Sequence, residues 1–114
     1  MDIETIRKEE KENWTELKSF HEVMKNTFHP IEEGNFKPIR ARSREMAERA
    51  VILQNGVIPP SFNTPEIHQS IRNLAEGSSE LHDMILNEAG DNAVSFKLSD
   101  VHDVFHTIQG LCKH

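Results

Sequence analysis

The stretch TPEIHQSIRNLAEGSSELHDMI, residues 64–85, decides the fold class. Ile67, Ile71, Leu74, Ser78, Leu81 and Ile85 recur at alternating steps of four and three, the spacing that lines one face of an α-helix. Thr64-Pro65-Glu66 supplies the start: a hydroxyl to cap, a proline where a missing N–H costs least, and an acid in the first turn. Gly90-Asp91-Asn92 breaks the pattern, which then resumes as Val94, Leu98, Val101, Phe105, Ile108 and Cys112.

Upstream, Trp14, Leu17, Phe20, Met24 and Phe28 form a third stripe, with His21 beside it. His29-Pro30 is expected to stop that helix, because the residue before proline is pushed out of the α region. A loop over Ile31-Glu32-Glu33-Gly34-Asn35 follows. Pro38 then suits the first turn of another helix, whose stripe is Ile39, Ser43, Met46, Ala50 and Leu53. Asn55-Gly56 ends it and Pro59-Pro60 keeps the next segment extended. No window alternates with period two long enough for a strand. The expected fold is all-α, an up-down-up-down antiparallel four-helix bundle in one domain over residues 1–114. Residues 1–12, charged except for a few positions such as Ile3 and Ile6, read as an N-terminal extension.

Composition narrows the function classes. At 114 residues there is room for one core. The net charge of −6, from 13 basic and 19 acidic residues, argues against nucleic acid and anionic membranes, where basic surface supplies the affinity. No apolar run approaches the ~20 residues of a membrane span. The single cysteine, Cys112, excludes an intrachain disulfide, a cysteine-rich zinc site and an Fe–S cluster. It closes an apolar stripe and reads as a structural thiol. The start Met1-Asp2-Ile3-Glu4 lacks the basic and apolar regions of an export signal. That reads as cytoplasmic if the N-terminus is native, although a mature chain given a new Met would look the same.

Seven histidines stand out. Phe20-His21-Glu22, Leu81-His82-Asp83 and Val101-His102-Asp103 each place an apolar stripe residue, a histidine and an acid in a row. His106 follows His102 by one turn on the same face. At 100° per residue, His102 and His106 lie about 60° and 100° from Phe105, on the shoulder of the core. Antiparallel packing through short loops brings His21, His82 and His102 to one depth near Glu45 and Met46, with His106 a turn away. Either His21 or His82 faces the His102/His106 pair, according to the hand of the bundle; the closing of chain ends favours His21. Neutral imidazoles in such a layer suit Zn²⁺, Cu²⁺, Ni²⁺ or Fe. His29 and Glu33 offer a second candidate at the bundle's end, against a plain reading in which His29 complements the helix dipole.

Other chemistry lacks its residues. Cys-x-x-Cys-His, paired Glu-x-x-His and His-Glu-x-x-His are absent, as are a Gly-rich phosphate loop and a nucleophile arrangement. The chain is not read as an enzyme. Met24 and Met46 are core filler or, alternatively, soft ligands; Met24 with a histidine of the last helix would be needed for non-covalent haem. His68 and His114 read as ordinary hydrogen-bonded or solvated side chains.

The segments Trp14…Phe20-His21-Glu22-Val23-Met24, Thr27-Phe28-His29-Pro30 with Glu32-Glu33-Gly34 and Pro38-Ile39, and Val101-His102-Asp103-x-Phe105-His106-x-Ile108…Cys112 resemble a group of small bacterial four-helix-bundle proteins. These are cytochrome c′-like in shape but without the haem motif. The resemblance implies a divalent-metal site, with His21, His29, Glu33, His102 and His106 at the motif positions, and a periplasmic or cell-envelope location. The expected function is non-catalytic binding of a divalent transition metal, zinc first and copper or nickel after it, for sequestration, transport or sensing. The alternative is a metal-free protein-interaction bundle; on either reading the chain is expected as a monomer or dimer.

Overall fold

The computed structural model describes residues 14–112; the charged extension read over residues 1–12 and His114 lie outside them. Four helices build the bundle: α1 Thr15–Glu32, α2 Lys37–Asn55, α3 Pro65–Leu86 and α4 Asp91–Leu111. A 3₁₀ turn, Pro60–Phe62, interrupts the connection from α2 to α3. There is no strand among the described residues. No described helix is long and apolar enough to cross a membrane.

The stripes bury as their spacing requires. Ile39, Ser43, Met46, Ala50 and Leu53 are the buried face of α2, and Val94, Leu98, Val101, Phe105 and Ile108 that of α4. Phe20 and Phe105 meet in the middle of the core with ring centroids 5.6 Å apart, and both are closed to solvent. Trp14 covers one end by stacking on Phe62 at 5.9 Å. Thr64 caps α3, its hydroxyl accepting the Ile67 N–H at 3.2 Å. Cys112 is half-buried at the edge of this core, and burial pushes its thiol up from the ordinary range.

One boundary differs from expectation. His29-Pro30 does not stop α1, which runs through Pro30 to Glu32. In the last turn a proline removes a single hydrogen bond, and Ile31, buried against the core, holds the turn in place. The Pro30 carbonyl accepts the N–H groups of Glu33 and Asn35 at 3.0 and 2.8 Å, and Gly34 at φ +83° reverses the chain.

Packing around the ring is uneven. Neighbours in sequence pack closely along their length, whereas α1 and α4, which close the ring, touch far less. A side-chain cleft opens in that last seam.

Candidate functional site

The cleft between α1 and α4 has a volume of about 220 Å³. From α1 it takes His21, Met24, Lys25, Phe28 and His29, and from α4 His102, Phe105 and His106. The antiparallel arrangement explains the meeting. Each of His21, His82 and His102 follows a stripe residue, so each is rotated about 100° in the same sense around its own axis. Seen down the bundle, helices of like direction turn that position to the same hand, and antiparallel helices to the opposite hand. So α1 turns His21 toward α4, α4 turns His102 back toward α1, and α3 turns His82 toward α2.

His82 accordingly leaves the expected group. Its Nδ1 lies 2.9 Å from the Ser43 hydroxyl of α2, satisfying a buried serine. Glu45, expected near the histidine layer, is held by Arg42 at 2.8 Å and Arg49 at 2.9 Å. Its hydrogen bond from Arg42 leads the effects that lower its pKa from the ordinary carboxylate value. Arg49 also donates to Ser19 Oγ. These charges belong to the α1–α2 face.

Within the cleft, His102 lies flat on Phe28, with ring centroids 3.9 Å apart and planes 2° from parallel. That stacking fixes the imidazole plane and directs its edge at His106, whose ring meets it at 86°. The two Nε2 atoms are 3.1 Å apart. His21 rides over Phe105 at 5.0 Å. His21 is thus level with Phe105 and His106, and His102 lies a turn nearer the C-terminal end of α1. The expected single layer of His21 and His102 is staggered, because α4 sits further along α1 than short loops alone suggest.

His29 lines the cleft mouth, but its partner is Glu32, 3.3 Å away, and not Glu33. Continuation of α1 through Pro30 makes Glu32 the i+3 neighbour and leaves Glu33 exposed at the C-cap. Met24 is buried and borders the cleft; Met46 is wholly in the core. His68, as expected, is an exposed hydrogen-bonded side chain, 2.6 Å from Asn63 Oδ1. Lys25 and Phe28 were not legible as site residues, although Lys25 stands one turn from His21 and Phe28 two turns.

Burial lowers the pKa of His21, helped by Lys25 and His106. Burial also lowers that of His102, helped by His106 against the opposite pull of Asp103 and Glu32. Both imidazoles are therefore biased toward the neutral form that ligates metals. Among the described residues, no three His, Cys, Asp or Glu gather into a ready-made metal set. What is built is a pair, with a third histidine across the seam.

No family model, curated protein or solved structure matches this chain. The chemistry of the cleft alone carries the functional reading.

Proposed function

We propose that the protein binds a divalent transition metal, zinc first and copper or nickel as alternatives, through His102 and His106, with His21 facing them. The carrying observation is the 3.1 Å separation of the two Nε2 atoms. Two nitrogens each 2.0–2.1 Å from a tetrahedral zinc stand about 3.3 Å apart, so the separation suits a chelate once the hydrogen bond between them is exchanged for the ion and both rings carry their proton on Nδ1. Burial lowers the proton affinity of His102, which weakens the competition of protons with the ion. A cleft of about 220 Å³ is smaller than the ~300–1,000 Å³ of organic-ligand sites, which favours an ion over haem. The role consistent with this reading is sequestration, transport or sensing.

Elemental analysis of untagged protein after a zinc challenge and desalting tests it. The expected result is close to one ion per chain, lost in the His102→Ala/His106→Ala variant. Protein that retains no metal, or a double variant that retains it fully, overturns the reading.

A further inference from the structure

We infer that an ion on the His102/His106 pair is completed by a small oxyanion from solution, with Lys25 as the anion's charge partner. This rests on the metal-binding reading above. Two imidazoles leave open positions on a four-coordinate ion. Even if His21 swings in, one position stays open.

Charge then decides what fills it. None of the side chains lining the cleft is a carboxylate. Glu32 is turned to His29 and solvent, and Asp103, the residue after His102, is exposed. A divalent ion held by neutral imidazoles would therefore share the cleft with Lys25, with no anion in the lining. The walls nearest the pair are the Phe28 and Phe105 rings. Lys25 and His106 are exposed, so solvent screens part of this charge, and an anion adds attraction at the cleft mouth.

Lys25 can pair with an anion because it lines the same cleft and has no ion-pair partner among the described residues. The volume is sufficient, since a water takes only about 30 Å³ and the cleft offers about 220 Å³. The ligand class is a small carboxylate or similar oxyanion, bound to the ion through oxygen and to Lys25 through a charge-assisted hydrogen bond.

Cobalt(II) replaces zinc in the test because its visible absorption reports coordination. The full chain is loaded with cobalt and titrated with acetate. The expected result is a saturable spectral change, with half-saturation raised several-fold in Lys25→Ala. A cobalt spectrum that acetate leaves unaltered overturns the inference and leaves the metal reading intact. Equal half-saturation in Lys25→Ala overturns the role of Lys25. Cobalt that shows only the spectrum of the free aqueous ion, before any acetate is added, counts against the metal reading itself.

Discussion

At the scale of single residues, the site depends on what holds two imidazoles edge to edge. His102 is clamped by the Phe28 ring at 3.9 Å, and its burial favours the neutral form. The same holds for His21. The consequence for stability has a definite sign. In the unfolded chain both histidines titrate near pH 6.5, and in the folded protein they titrate lower. As pH falls through 6.5 the unfolded state takes up more protons than the folded state, so the metal-free protein loses stability on acidification. Above that pH these groups contribute no slope. Urea midpoints measured from pH 7.5 down to 5 should fall, and His102→Gln should flatten the decline. An identical decline in His102→Gln would place its origin in other groups. The histidines, their helical faces and the 102/106 spacing were all visible in the sequence. The stacking on Phe28 was not, because it depends on how far α4 slides along α1.

At the scale of elements, helix ends are set by tertiary anchors as well as by local preference. His29-Pro30 has the local preference of a helix stop, but Ile31 is buried and keeps the last turn helical. Proline reports on one hydrogen bond, whereas the helix end is set by where the apolar anchors stop. Two other turns can be compared directly. Gly34 at φ +83° and Glu88 at φ +60° both hold the left-handed conformation, which side chains resist by roughly 1–2 kcal/mol. Glu88→Gly should therefore stabilise the protein by about 1 kcal/mol, and Gly34→Ala should destabilise it by a similar amount. No atom lies within 4 Å of a Cβ built at Gly34, so the second effect would be purely conformational. Paired denaturant melts check both, and shifts of the same sign would refute the comparison.

At the scale of the whole molecule, the core and the seam behave differently. Ser78 is closed to solvent, and its hydroxyl lacks a hydrogen-bond partner. Ser78→Ala should raise stability by about 1 kcal/mol, because an unpaired buried hydroxyl is worse than none; a lower melting temperature in that variant would contradict the expectation. The α1–α4 seam is the least packed, and the histidine cleft lies in it. Zinc bound only by the folded state should add about 2.7 kcal/mol at a hundredfold excess over Kd. Thermal unfolding with zinc and with chelator measures this. Melting curves that superimpose would leave the bundle without a metal and favour the protein-interaction alternative.

Helix type, helix number and most of the buried face could be read from the chain, because a stripe at steps of three and four has one inexpensive solution. The buried residues of α2, from Ile39 to Leu53, are the ones its spacing names. Local chemistry likewise placed the Thr64 cap. The partners of the histidines could not be read so. His21, His82 and His102 share the same local pattern, yet two face one cleft and the third bonds to Ser43. Their separation follows from the hand of the bundle and the slide of α4 along α1. Those are properties of how four stripes close around one core, and no single helix contains them.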